Sequence, residues 1–286
     1  MRSALTRRSL GLCVPALIAT GTAHAHDVAD DTVAAIERRH GGRLGVWAVD
    51  TGSGRSLAHR ADERFLMCST FKGVLAALIL SRVDAGRDSL SDLVRYGEKD
   101  IVGYSPVSAA HVAQGALSVG TLCASIVLYS DNGAANLLLA RVGGPQALTA
   151  YVRKLGDGTT RFDRYEVAAS RKSGDLDTTT PRAIVETART ILLGHVLSPR
   201  SQATLEGWMV ACRTGSARLR AAFPPGWIAG DKTGTGNGAC NDYAIVRRAG
   251  HAPLLMACYY DAPGLSQAQQ ETVLQEVGAA IVAWAR

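Results

Sequence analysis

Three short polar clusters stand out in this chain of 286 residues. The first is Ser69-Thr70-Phe71-Lys72, at the start of a helical pattern. A three-residue spacing on a helix puts the serine hydroxyl and the lysine amine on one face, within reach of each other. A serine attacks poorly unless a nearby base takes its proton, and a lysine among apolar and cationic neighbours loses its charge readily enough to serve. The start of a helix adds free backbone N–H groups near the nucleophile, suited to an oxygen that gains negative charge. Ser130-Asp131-Asn132 lies in a break between apolar helical runs, where short polar residues also form turns and caps. Lys232-Thr233-Gly234-Thr235-Gly236 ends an apolar strand, where small residues let a ligand or another backbone come close. Each cluster alone has an ordinary structural explanation: a solvated helix face, a turn, a hairpin entry. All three in this order, each on its own kind of element, point to nucleophilic catalysis at Ser69.

The set resembles the signature of the class A serine β-lactamases, Ser-x-x-Lys, Ser-Asp-Asn and Lys-Thr-Gly. The similarity runs from about residue 40 to the C-terminus. What the resemblance implies is hydrolysis of the β-lactam amide bond of penicillins and cephalosporins through a serine acyl-enzyme, with resistance as the result. Ser69 would be the nucleophile, Lys72 a base in acylation, and Ser130 the donor of a proton to the departing ring nitrogen. Asn132 would hold the acyl side-chain amide, and Lys232 and Thr233 would receive the substrate carboxylate. The backbone N–H groups of Ser69 and Thr235 would form the oxyanion hole. Tyr104 matches an aromatic at the cleft entrance, although a tyrosine also packs readily into a loop corner.

Turnover needs a group that activates water, and the resemblance gives that role to Glu166. It sits in Arg161-Phe162-Asp163-Arg164-Tyr165-Glu166, which is similar to the family's Ω-loop, here about residues 161–178. Arg164 and Asp177 match an ion pair that closes the loop. Arg218 matches the place from which some class A enzymes send an arginine toward the substrate carboxylate, a task that its planar guanidinium suits. Cys240 stands where other members carry an arginine for the same task.

The chain departs from the family in three places. Val167 replaces the usual proline, so the bond after Glu166 becomes trans or is kept as a non-proline cis bond. Between Glu166 and Asp177 the loop is two residues shorter than usual, and Ser170, with its shorter reach, stands where an asparagine commonly helps hold the deacylating water. Cys68 precedes the nucleophile, as in a carbapenem-hydrolysing group whose cysteine there is cross-linked. The partner position matches Gly236 here, and Cys240 is an alternative partner if its Cα comes within about 7 Å. Cys68, Ser170, Arg218 and Thr235 together raise carbapenems as further substrates.

Around these residues the apolar patterning is that of a compact protein: 47% of residues are hydrophobic and 20% charged. Arg2, Arg7 and Arg8 precede an apolar run from Leu10 to Ala19 that ends near Ala23-His24-Ala25. Residues 1–25 therefore read as an export signal, and Thr6-Arg7-Arg8-Ser9-Leu10 fits a twin-arginine address, with an ordinary Sec signal as the alternative. The expected location is the periplasm, without stable membrane association after cleavage. Formal net charge is +6, and removal of the leader, with its three arginines and no acids, leaves +3. The basic residues are scattered, which speaks against nucleic acid as a partner. Of six cysteines, five follow the leader, so at least one thiol is free or pairs outside the chain. No Cys/His spacing of zinc type occurs, and neither metal nor cofactor is expected. Cys123, Cys212 and Cys258 read as small buried residues. A small β-lactam is the expected partner, and a monomer the default state.

Periodicity places the clusters. Ala29–Arg39 reads as a helix, Leu44–Asp50 as a strand followed by the turn Thr51–Gly54 and a second strand. Helical patterns follow at Phe71–Leu80, Val119–Leu128, Ala134–Val142, Ala147–Leu155 and Pro181–Leu193. Strand patterns return at Gly226–Thr233, Asp242–Arg247 and Pro253–Tyr260, before a last helix, Gln267–Trp284. The expected fold is α+β: a five-stranded antiparallel sheet flanked by helices, built from residues 26–65 and 211–286, with an all-helical domain, residues 66–210, inserted and the site in the cleft between them. Two other functions share the three clusters. A D-alanyl-D-alanine peptidase lacks the loop carrying Glu166, and a β-lactam sensor lacks the deacylating glutamate and is usually tethered to a membrane.

Overall fold

The computed structural model describes residues 23–286 apart from residue 237. Residues 1–22 of the expected export signal lie outside the described residues.

In chain order the main elements are α1 (Ala23–His40), β1 (Arg43–Asp50), β2 (Ser56–His59), β3 (Phe65–Leu66), α2 (Phe71–Asp84), β4 (Leu93–Arg95), α3 (Pro106–Ala110), β5 (Ala116–Ser118), α4 (Val119–Leu128) and α5 (Asn132–Val142). They continue with α6 (Pro145–Lys154), β6 (Thr178–Thr179), α7 (Pro181–Leu193), α8 (Pro199–Val210), β7 (Ile228–Gly236), β8 (Ala239–Arg247), β9 (Leu254–Asp261) and α9 (Gln267–Trp284). The five-stranded sheet has the order β2-β1-β9-β8-β7, and its pairs are antiparallel. The stretch between its two halves is mainly helical, with the short pairs β3–β6 and β4–β5 set into it.

Both faces of the sheet are covered, which is why its strands read as nearly continuous apolar runs. Side chains alternate between faces. In β1, Leu44, Val46 and Ala48 join Val33 of α1 and Leu274 of α9 in one core, while Trp47 and Val49 join the helices of the inserted stretch in another. In β9, Met256, Cys258 and Tyr260 take the first side, and Leu255, Ala257 and Tyr259 the second. Each fully buried large apolar side chain contributes about 1.5–3 kcal/mol to this two-sided packing.

Helix starts follow local chemistry. Asp131, Thr180, Ser198 and Ser266 each accept a backbone N–H at the N-terminus of α5, α7, α8 and α9. Periodicity missed α8 because its buried residues are only Ser201, Leu205 and Met209, although Ser198-Pro199 is a start signal. β7 also runs three residues further than expected. Its glycines, read from sequence as the end of the strand, answer a crowding problem: a Cβ on Gly234 would lie 2.4 Å from the Met67 carbonyl oxygen, and one on Gly236 2.5 Å from Cys68 Sγ.

Close approach also sets the distance from α2 to the sheet. A Cβ on Gly73 would stand 1.9 Å from the hydroxyl of buried Tyr243 on β8. Gly73→Ala should therefore overpack the seam, cost about 1–3 kcal/mol and lower Tm by several degrees. Thermal unfolding of the purified variant checks this; an unchanged Tm would mean that the seam gives way freely.

Candidate active site

Ser69 lies in a single 3₁₀ turn, Cys68–Thr70, that leads into α2. The turn is held from the sheet side by Asn241 of β8, whose Nδ2 donates to the carbonyls of Leu66 and Met67 at 2.8 and 3.2 Å. Cys68 has φ +48°, a left-handed backbone that points the chain into the turn. Lys72, one turn on, has its side chain fully buried.

The Lys72 amine meets four oxygens. Nζ lies 2.8 Å from Ser69 Oγ, 2.8 Å from the Ser130 carbonyl, 2.6 Å from Asn132 Oδ1 and 3.3 Å from Glu166 Oε1. Burial is the largest influence on the amine and holds its pKa below the usual lysine range, against the opposing pull of Glu166. In its neutral form the amine would give its two hydrogens to the Ser130 and Asn132 oxygens and turn its lone pair to the Ser69 hydroxyl.

Ser130 has φ +64° in the break between α4 and α5. Asp131 fixes that break: its carboxylate accepts from the N–H groups of Val107, Ser108 and Ala134 and from the Ser108 hydroxyl. The Ser130 hydroxyl accepts from Lys232 Nζ at 3.1 Å and its carbonyl from Lys72 Nζ, so the residue stands between the two lysines.

Glu166 comes from the loop between α6 and β6. Asn136 of α5 grips its backbone on both sides, donating to its carbonyl at 2.9 Å and accepting its N–H at 2.8 Å. Ser69 Oγ donates to Glu166 Oε1 at 3.2 Å, and Ser170 Oγ to Oε2 at 3.0 Å. The Glu166–Val167 bond is cis. Arg164 Nε donates to Asp177 Oδ2 at 2.6 Å, and the N–H groups of Asp163 and Arg164 converge on Asp177 Oδ1, closing the loop.

Opposite this wall, β7 supplies Lys232, Thr233 and Thr235. Burial pushes the Lys232 amine down to about 7, with Lys72 and Arg218 acting the same way and Cys212 and Asp242 opposing. Thr233 shares a hydroxyl contact with Thr214. The cleft encloses about 490 Å³ between Ser69, Ser130, Asn132, Glu166, Ser170, Arg218, Thr233 and Thr235. Tyr104 stands at its mouth, 60% exposed, and not packed into a loop corner.

Two expectations are corrected. Arg218 is 2% exposed, and each of its five N–H groups already has a partner. Nη1 donates to the carbonyls of Gly234 and Asn241, Nη2 to Thr235 Oγ1 at 2.6 Å and to Glu271, and Nε to Glu271 at 3.4 Å. The guanidinium is thus not free for a two-pronged grip on a carboxylate. It fills the oxygen lone pair of Thr235 and leaves that hydroxyl's hydrogen to donate into the cleft. Second, Cys68 and Cys240 are both free and buried. Cys240 faces α1 and α9 with Tyr260, whereas its neighbours Ala239 and Asn241 face the turn carrying Cys68. Strand alternation thus sends the Cys240 thiol to the other side of the sheet.

Sequence reasoning missed Asn136, Asn241, Thr214 and Glu271. Asn136 had a signal, since it stands four residues after Asn132 on the same helix face. Among the described residues no group of His, Cys, Asp and Glu could hold a metal, and no helix is long and apolar enough to cross a membrane.

Fold and geometry define an α+β protein with a buried Ser–Lys pair and a facing carboxylate in a cleft between sheet and helices. A profile of the Beta-lactamase enzyme family matches residues 29–285. The chain is 43% identical over 245 residues to the carbapenem-hydrolyzing β-lactamase KPC of Klebsiella oxytoca, covering 84% of this chain and 83% of the relative. Among solved structures it is similar to a β-lactamase from Burkholderia vietnamiensis, at 57% identity and TM-score 0.90 over 92% of this chain and 98% of that one. It is also similar to an ancestral class A β-lactamase, at 46% identity and TM-score 0.87 over 89% and 99%. The chain belongs to the class A β-lactamases and is a hydrolase of the β-lactam amide bond, an activity that confers resistance.

The lowered Lys232 pKa has a measurable sign. As pH rises through about 7 the ammonium loses its proton, so attraction for an anionic substrate weakens and KM should climb on the alkaline side. In Lys232→Arg the charge persists, and the climb should vanish; KM against pH for both proteins checks this.

Proposed function

We propose that Ser69 attacks the lactam carbonyl while Lys72 takes its proton, that Ser130 protonates the departing ring nitrogen, and that Glu166 activates the water which frees the enzyme. The observation that carries this reading is the single cluster of Ser69 Oγ, Lys72 Nζ and Glu166 Oε1, mutually within 2.8–3.3 Å. The backbone N–H groups of Ser69 and Thr235 receive the oxyanion, for β7 runs alongside the turn that carries Ser69. Asn132 holds the acyl amide. Lys232, Thr233 and Thr235 take the substrate carboxylate, with Arg218 acting through the Thr235 hydroxyl.

Penicillins and cephalosporins are the proposed substrates. Glu166 inside the cleft favours a hydrolase over a D-alanyl-D-alanine peptidase or a sensor, both of which lack this carboxylate. The enzyme acts as a monomer in the periplasm after export by its arginine-bearing leader. Carbapenem hydrolysis is the second reading, favoured by Ser170 on Glu166, by the Arg218–Thr235 pair and by the 43% identity to a carbapenem-hydrolyzing relative.

Glu166→Gln should trap the penicilloyl ester on Ser69, seen by mass spectrometry as an adduct that persists for hours, while the parent protein releases it promptly. Prompt release by the variant would remove Glu166 as the deacylating base, and an adduct on Ser69→Ala would remove the nucleophile. Steady-state assay with imipenem should show turnover; none would leave penicillins and cephalosporins alone.

A further inference from the structure

The two N–H groups of the proposed oxyanion hole belong to segments far apart in the chain, Ser69 in the turn before α2 and Thr235 in β7. Each must lie about 2.7–3.1 Å from the same oxygen, so the spacing between the segments matters to a few tenths of an ångström. Where they touch, the contact limits approach without holding it: the backbone of Gly234 abuts the Met67 carbonyl oxygen and Cys68 Cβ. Among the described residues no hydrogen bond joins β7 directly to the turn. The attraction comes from one strand further in. Asn241 of β8 pairs with Gly234 in the ladder, next to the pair Thr235–Cys240. It is 1% exposed, and each polar group of its side chain is matched. Nδ2 gives one hydrogen to the Leu66 carbonyl at 2.8 Å and the other to that of Met67 at 3.2 Å, while Oδ1 accepts from Tyr260 N at 3.4 Å. The Asn241 carbonyl accepts from Arg218 Nη1 at 2.7 Å, and the same nitrogen reaches the Gly234 carbonyl at 3.0 Å, so the guanidinium ties the ladder together at this pair. On β9, Tyr259 stands opposite Asn241, and its hydroxyl meets that of Thr70, which donates to the Met67 carbonyl at 2.9 Å.

We propose that Asn241 is a positioning residue for the reaction: its carboxamide ties the nucleophile's turn to β8, and through the ladder to β7, and so holds the two N–H groups at the spacing that a tetrahedral oxygen requires. It touches neither the substrate nor the reacting atoms. A carboxamide suits the task because it carries two donors on one nitrogen beside an acceptor, which matches two carbonyls and one N–H. Without it the turn is pressed against Gly234 but not drawn to it. The oxyanion forms in both acylation and deacylation, so both steps slow, while the carboxylate contacts of Lys232 and Thr233 stay in place. The clamp rests on the reading of Ser69 and Thr235 as the oxyanion hole.

The infrared carbonyl band of the penicilloyl ester held in Glu166→Gln reads the hole directly, because donors that polarise the ester C=O lower its stretching frequency. Asn241→Leu in that background should move the band to higher wavenumber. In the otherwise unaltered enzyme the same substitution should lower kcat by about tenfold, short of the roughly 10²–10³-fold loss that follows removal of a whole donor. Asn241→Asp keeps the shape with at most one donor, folds without a change of volume, and should move the band the same way. A band unmoved in both variants overturns the clamp. So does a band moved by leucine and not by aspartate, since the residue would then only fill space. A band in Glu166→Gln alone at the frequency of the same ester free in water would instead remove the oxyanion hole itself, and the clamp with it.

Discussion

An amine sunk out of water at Lys72 is the constraint around which the molecule is arranged. An ion moved into the interior costs several kcal/mol even after relaxation, unless close partners offset it. Here the partners are four oxygens from three separate segments: the turn before α2, the break between α4 and α5, and the Glu166 loop. Only the folded chain brings them together, so the same packing that surrounds the amine also sets the alcohol of Ser69 beside it. Burial weakens its hold on a proton, so more of the amine is neutral, the form that the proposed transfer from Ser69 requires.

The sheet divides the remaining labour by alternation. Along β7, Lys232, Gly234 and Gly236 face the helices and the nucleophile, while Asp231, Thr233 and Thr235 face the side where Arg218, Arg220 and Thr214 lie. One strand thus serves two chemistries, presenting a cation and close backbone on one side and a buttressed pair of hydroxyls on the other. α5 does the same for the opposite wall, where Asn132 faces the cleft and Asn136 carries the acidic loop.

What was legible in the sequence follows from range. Ser69 and Lys72 are three residues apart across the entry to α2, and Ser130 and Asn132 two apart across the entry to α5, so local sequence alone brings each pair together. Most element types were legible as well, from the apolar runs of the doubly covered strands and the apolar stripes of the longer helices, with α8 the exception. Arg218 was misjudged because its acceptors come from Gly234, Thr235, Asn241 and Glu271, on three other elements, and no local pattern announces that a guanidinium is already saturated. The end of β7 was misjudged because Gly234 and Gly236 look like breakers until the turn lying against them is known. Cys240 was misjudged because the face that a strand residue takes depends on register.

That last point reaches beyond the two thiols. With Cys68 and Cys240 on opposite sides of β8, the nucleophile's turn is clamped by the Asn241 carboxamide and by glycine-to-backbone contact, neither of which involves electron transfer. Burial also raises the Cys68 pKa, so little of the thiol is in the form that glutathione or another thiol would engage. The contacts that hold the catalytic turn are therefore hydrogen bonds and backbone packing, which need no oxidant to form and offer no sulfur–sulfur bond to be reduced.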